Sequence, residues 1–428
     1  MENAFYHLNR NGLDTLSVLS VARKNPENFK GPASRSGYLA LLAAILGLFT
    51  AALGKLIVWI GLTVMQLAFF GKFFYSGDTP ADSELGALLL LIPIAGTALF
   101  LLLTRTGKYG LKIPALLAAT GTGASLGWEA PVMLTGGAFA THLRKLLRIS
   151  EAEVSIFIIT GLCSGLAWYF NAPLAAVLLG LEVLLPAWTL MTLLPLITGV
   201  AATWALKAWW EGTEPFFTMG TGPGGNVPAL LAYMVIGILI GLLAVLLVKA
   251  SRRLERLFDR LGARNRWWLL LTAVPVAVIG YWSPDTLGPG ERYGSFLLQA
   301  HVTLQLLTVL SLLKMIAWLF FSAGNKTGTT VMPLLLMGGA TGLLLAVIIQ
   351  LVAPAVIINP VLAALIGMCA MFAGISRGLF TAVVLVLELT HCLPAGIPAG
   401  LAAVAAYGVS FPLLKNKRPR PEAGNAVL

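Results

Sequence analysis

The sequence predicts an all-α membrane protein, a polytopic bundle with broken helices, and three observations carry that prediction. Hydrophobic residues fill 58% of the 428 positions and charged residues only 11%, whereas a soluble domain carries about 25% charge. Apolar runs of roughly twenty residues, enough to cross ~30 Å of hydrocarbon, recur along the chain. They are continuous rather than alternating, and backbone groups in lipid must be satisfied within the chain, so helices are predicted over a barrel. The 45 glycines and 23 prolines interrupt these runs in clusters. That is the pattern of half-helices that stop inside a membrane and line a cavity.

Residues 1–37 are polar and amphipathic and lack the short apolar stretch of a secretory signal. They are expected to form a cytoplasmic segment. A transmembrane domain is expected over 38–414, in halves of about 38–212 and 226–414, with a short basic cytoplasmic tail at 415–428. The first apolar block, Tyr38 to Phe70, exceeds one upright span and is predicted to be tilted or broken. A polar loop follows from Gly77 to Glu84, then a block from Leu85 to Leu103. Residues 113–147 and 153–205 are apolar but cut by glycine and proline. Phe216 to Asn226 reads as a glycine-rich loop. Pro228 to Val248 reads as a span ending in a basic linker. Further blocks are 267–282, 303–321, 331–353, 355–385 and 393–414. Each half passes from a long apolar block to a Gly/Thr-rich break and then to short helices, as an inverted repeat would.

The net charge of +11 would point to nucleic acid in a soluble protein. Here the cations sit between apolar runs and at the ends, as the positive-inside rule requires. Arg23, Lys24, Lys30 and Arg35 precede the first block, and Lys415, Lys417, Arg418 and Arg420 follow the last. Both termini are therefore expected in the cytoplasm, with the linker of Lys249, Arg252, Arg253, Arg256, Arg260, Arg264 and Arg266. The partners expected are a lipid bilayer and small anions, not nucleic acid. Cys163, Cys369 and Cys392 are odd in number, show no CxxC spacing and read as packing residues. His7, His142, His301 and His391 are scattered, and neither an HExxH nor a P-loop occurs. An enzyme, a metal site, a cofactor and ATP-driven pumping are all unexpected.

Four segments carry chemistry. In GTGASLGWEAPVMLTGG (121–137), Glu129 sits in an apolar stretch between Gly127 and Pro131. A carboxylate at mid-membrane costs about 2.5–3.5 kcal/mol on insertion scales and marks a functional site. Pro131 suits a first helical turn, and a helix start offers free N–H groups and a dipole that favour an anion. A carboxylate there can fill the anion site or leave it, which is the physics of a gate. In 161–184, Gly161 and Gly165 allow close helix packing, Asn171-Ala-Pro restarts a helix, and Glu182 is the lone charge between Glu153 and Lys207. In 321–342, a polar break precedes Pro333; its amides, Thr327, Thr329, Thr330 and the cation Lys326 can face an anion. In 367–390, Arg377 separates two apolar runs, with Glu388 beyond it.

In order, these segments resemble the CLC chloride channel and antiporter family over roughly residues 38–414. LGWEAPVMLTGG is similar to the family's G-R/K-E-G-P motif, GLAWYFNAPLAAVL to its GLAAAFNAPLAG stretch, residues 321–333 to its G-x-F-x-P segment, and 371–390 to its FAAS-x-RAPLT…VLEMT helix pair. The resemblance implies two inverted halves, a homodimer with one pore per subunit, and chloride-like anions as cargo. It implies that Glu129 is the gating glutamate and that Lys112 contributes to pore electrostatics beside Lys326. The implied anion site is lined by Gly127, Trp128, Ala130 and Pro131 from one segment and Gly328, Thr329, Thr330 and Val331 from the other.

Departures from the family shape the functional expectation. Trp128 stands where the family has Arg or Lys, Ala130 replaces Gly, and Val331 replaces Phe. GLKIP (Gly110 to Pro114) is only superficially like the family's G-S-G-I-P, so the filter serine has no counterpart. Thr104 and Thr106 are the substitutes considered. The filter tyrosine falls on Leu414 or nowhere. Val183 occupies the place of the second glutamate of many antiporters, and valine carries no proton. A passive, Glu129-gated channel with weak or no proton coupling is therefore expected. The alternatives are a proton-coupled chloride or fluoride antiporter and a non-conducting membrane protein.

Overall fold

The computed structural model describes residues 33–74, 77–105, 111–146, 149–185, 187–220, 227–325 and 330–414, which are helical throughout apart from connections. Among the described residues, eight helices are long and apolar enough to cross a membrane. The chain opens with α1 (Ala33–Phe70), one unbroken helix. At 1.5 Å per residue it is about 57 Å long, and of the two expected outcomes, tilt or a break, the break does not occur. Then come α2 (Leu91–Thr104), α3 (Lys112–Gly121), α4 (Glu129–Leu146), α5 (Glu151–Phe170), α6 (Pro173–Leu179) and α7 (Leu190–Glu211). A π-helical turn, Gly180–Leu184, extends α6.

The second half begins with α8 (Val227–Arg264), which corrects the expected basic linker: the span and its cationic extension are one helix. Leu254, Leu257 and Phe258 continue the apolar pattern with no proline to stop it, and the Arg256 guanidinium donates to the Arg252 carbonyl one turn back. Next are α9 (Ala273–Trp282), α10 (Glu291–Leu298), α11 (Leu304–Thr308) and α12 (Lys314–Asn325), the last two joined by a π-helical turn. The chain ends with α13 (Val331–Val352), α14 (Pro360–Ser376), α15 (Leu379–Thr390) and α16 (Gly396–Leu413).

The two halves repeat one another upside down. α5 and α14 both end on a left-handed residue, Asn171 (φ 54°) and Arg377 (φ 61°), and a new helix starts just beyond each. α4 packs antiparallel on α5 where Gly136 meets Gly161; a Cβ on Gly136 would stand 2.2 Å from the Gly161 carbonyl oxygen. α13 packs on α14 in the same way, where Gly338 meets Gly367, with 2.5 Å for the corresponding Cβ. Close backbone approach through small residues is the usual device for helices that lipid does not push together. The buried free thiols of Cys163 and Cys369 also stand on α5 and α14 respectively.

Inversion follows from two caps. The Glu388 carboxylate, at the end of α15, accepts from the Leu174 and Ala175 amides at the start of α6 (2.9 and 2.7 Å). Glu182, at the end of α6, accepts from the Phe380 and Thr381 amides (3.0 and 2.8 Å) and the Thr381 hydroxyl (2.6 Å) at the start of α15. The two helices thus lie antiparallel, head to tail.

Buried cations elsewhere hold carbonyls. The Lys207 ammonium donates to the carbonyls of Trp168 and Tyr169, where the exposed carbonyls and dipole of a helix end favour positive charge. Lys314 donates to the Thr286 and Gly288 carbonyls, 3.0 Å each. Arg35 grips Glu153 through two nitrogens (2.6 and 2.9 Å) and fixes the start of α1 to that of α5, where Ser150 and Glu153 form a capping box.

Candidate functional site

α3 ends at Gly121, and the chain turns through Gly123, whose φ of +99° suits glycine, to start α4 at Glu129. The first turn of α4 holds Pro131, whose missing N–H removes a donor that would have no intrahelical partner. From the inverted half, α13 starts at Val331 with Pro333 in its own first turn. The two starts meet at the Glu129 carboxylate. Oε1 accepts from the Met332 amide at 2.9 Å, and the amides of Val331 and Glu129 itself also act on the group. Glu129 is 1% exposed.

Glycine is needed at 127 because the carboxylate lies against it: a Cβ there would stand 1.7 Å from Oε2. Among the described residues that oxygen has no hydrogen-bond partner. Thr330, in extended backbone just before α13, is 2% exposed, and among the described residues its hydroxyl has no hydrogen-bond partner. Both atoms lie at the start of α13 or against it, beside the amides that hold the carboxylate.

Of the residues singled out in the sequence, Gly127, Glu129, Val331 and the backbone of Trp128 come together here, with Ala130 and Pro131 completing the first turn of α4. The Trp128 ring turns away and lies against Gly61 of α1, so it packs the helix rather than facing the carboxylate. Lys112 opens α3, half-buried, at the other end of that helix from the turn leading to Glu129. Lys326, Gly328 and Thr329 lie outside the described residues, as does Thr106. Thr104 does not replace the filter serine: its hydroxyl donates to the Phe100 carbonyl and accepts from Arg266, 2.8 Å each, at the protein surface. Leu414 is buried at the end of α16. Val183 lies in the π-helical turn beside the capping Glu182.

Sequence reasoning missed three participants. Met332 supplies its amide, which no side-chain pattern reveals. Tyr169 lies in the motif-bearing segment and reads as one more aromatic, yet its hydroxyl donates to Glu291. Glu291 itself opens the short α10 after Gly290, in a stretch that looks like an ordinary turn.

The profile of the family described as "Voltage gated chloride channel" matches residues 105–411. The chain is 26% identical over 277 residues to a protein of Salmonella arizonae named H(+)/Cl(-) exchange transporter ClcA, covering 63% of this chain and 59% of that one. The Salmonella paratyphi B protein of the same name is 25% identical over the same shares. The chain therefore spans 59% of the length of these relatives. Among solved structures, a slow cyanobacterial Cl-/H+ antiporter superposes with a TM-score of 0.77 at 20% identity, over 90% of this chain and 95% of the other. A CLC-type fluoride/proton antiporter superposes at 0.70, also at 20% identity, over 90% and 98%. With the family profile spanning most of the domain and the fold shared throughout, the chain belongs to the voltage gated chloride channel, or CLC, family.

Proposed function

We propose that this protein exchanges small inorganic anions of the halide class for protons across a membrane, with Glu129 as the gate. The observation that carries this reading is the Glu129 carboxylate lying across the amides that start α4 and α13. An anion and the carboxylate compete for the same donors. Protonation weakens the hold of the carboxyl on those amides, frees the place for an anion, and carries a proton with each departure. Gly127, Ala130, Pro131, Thr330 and Val331 shape the anion place, together with Gly328 and Thr329; Lys112 and Lys326 add positive potential along the approach.

Val183 favours an uncoupled channel, since an acid is absent from that position. The named relatives and neighbours are proton-coupled exchangers of chloride or fluoride, and exchange is the reading they favour. The domain so assigned is 38–414, in halves of about 38–212 and 226–414, with 1–37 and 415–428 flanking it. The distribution of cations supports cytoplasmic termini. A homodimer is proposed through the apolar faces that α6, α15 and α16 leave exposed at Leu174, Phe380 and Ile397.

Reconstitution into liposomes tests the reading. An outward chloride or fluoride gradient should drive protons uphill, and Glu129→Gln should abolish proton movement while anion leak persists or rises. Anion flux with no proton movement would establish the channel reading instead. Flux and pH response unchanged in Glu129→Gln would remove Glu129 from the gate.

A further inference from the structure

Three helices lie side by side at the cationic edge of the domain. α8 and α16 run parallel, touching through small residues four apart: a Cβ on Gly237 would stand 2.6 Å from the Ala402 carbonyl oxygen, and one on Gly241 2.8 Å from the Ala406 Cα. α14 joins them where a Cβ on Gly374 would meet the Ala244 Cβ at 2.8 Å. Three residues on, Arg377 ends α14, and its guanidinium carbon lies 5.9 Å from the centroid of the Phe411 ring on α16. Arg252 follows Ala244 by two turns of α8, towards this same end. The outward face of α8 changes character at this level. Leu239, Leu242 and Leu246 are exposed at helical spacing, and the same stripe continues as exposed Lys249, Arg253 and Arg256. An apolar stripe that turns cationic within one turn marks the passage from acyl chains to headgroups.

Arg377 is held at this level with its hydrogen-bonding edge unused. The Phe411 ring and the C-terminal dipole of α14 favour its charge. Neither accepts a hydrogen bond, and among the described residues Nε and Nη2 of Arg377 have no hydrogen-bond partner. Two carboxylates on neighbouring elements are engaged otherwise. Glu182, whose Oε2 would stand 3.3 Å from a Cβ on Gly378, holds the first amides of α15. Glu255 accepts from the Ser251 hydroxyl at 3.3 Å. A guanidinium keeps its charge, and Nε with one Nη forms a planar fork that fits two oxygens of a phosphate.

We propose that Arg377, with Arg252 contributing charge, binds the phosphate of an anionic phospholipid whose chains lie along the leucine stripe of α8. Basic pockets between transmembrane helices take such headgroups. The source is a lipid rather than a water-borne phosphate, because Arg377 is half-buried between helices at the depth where the α8 stripe leaves the acyl region. The bound headgroup would tie together the ends of α14 and α16 and the cationic extension of α8. The site is separate from Glu129 and does not depend on how the gate works.

The test is titration of the full chain in detergent with phosphatidylglycerol, read as the rise in thermal unfolding midpoint and as lipid retained per chain by mass spectrometry. Phosphatidylglycerol should stabilise the wild type, whereas phosphatidylcholine and soluble glycerol phosphate should not. Arg377→Gln should weaken phosphatidylglycerol binding about tenfold, as loss of a charge-assisted donor pair implies. Arg377→Lys, which keeps the charge without the fork, should fall between, and Arg252→Gln should weaken binding by less than Arg377→Gln. Wild-type affinity in both glutamine variants would overturn the site; where Arg377→Gln does not fold, Arg252→Gln alone decides. Equal stabilisation by phosphatidylcholine would reduce the lipid to an ordinary neighbour, and equal stabilisation by glycerol phosphate would make this a site for a soluble anion. Either result would overturn the proposal.

Discussion

Glu182 and Glu388 exchange caps: each carboxylate accepts the first amides of the helix on which the other stands. Both are half-buried, and their hydrogen-bond partners among the described residues are helix-start amides and a hydroxyl rather than cations. Each takes up donors that a helix start would otherwise leave unpaired in the membrane, with the dipole of that helix adding to the attraction.

Removing either carboxylate should therefore destabilise the fold. Glu388→Ala should lose about 1–3 kcal/mol, as expected when a charged acceptor is taken from two helix-start amides. Glu182→Ala should lose more, since it has a third donor in the Thr381 hydroxyl. Thermal unfolding in detergent should show both variants melting below wild type.

Gly127→Ala should open the gate. Its methyl would occupy space within bonding distance of the Glu129 oxygen, and the flexible side chain must yield before the backbone does. Anion leak in liposomes should rise several-fold and lose most of its pH dependence. A variant with wild-type leak would show that the carboxylate has another resting place.

Thr330→Val should leave stability within about 0.5 kcal/mol, because the hydroxyl has no partner among the described residues to lose. If the hydroxyl serves the anion, half-saturation for chloride or fluoride should rise while maximal flux changes less. Flux measured against anion concentration separates the two.

Gly136→Val and Gly338→Val should each wedge a helix pair apart, since even a Cβ meets the facing backbone below 3 Å. Overpacking of this kind costs about 1–3 kcal/mol or more where only backbone can give way. Yield of folded protein after extraction should fall in both variants, and to a similar degree if the halves are equivalent.

The helical class, the spans and the residues at the two helix starts were legible because lipid imposes a simple rule on composition and because glycine and proline mark interruptions. Glu129 was legible for the same reason: an ionisable group in so apolar a stretch requires a purpose. The Met332 amide was not, since main-chain donors are the same in every sequence and only the crossing of α4 and α13 aims this one. Glu182 and Glu388 could be seen to need partners, but their mutual relation spans more than two hundred positions of chain and exists only in the fold. The basic extension of α8 was misread because charge was taken as the end of a helix, whereas arginine is a good helix former. Tyr169 and Glu291 escaped notice because each is ordinary alone.

The crossed caps also bear on the order in which the molecule can be completed. The Leu174 and Ala175 amides leave the ribosome long before Glu388 is made, while Glu182 waits equally long for Thr381. During synthesis the first half can insert, but its α6 remains without its final lock until the last helices arrive. A nascent chain arrested after Glu211 should accordingly be far more open to protease at Pro173 than the finished protein, and release of the arrest should close that window in a single step.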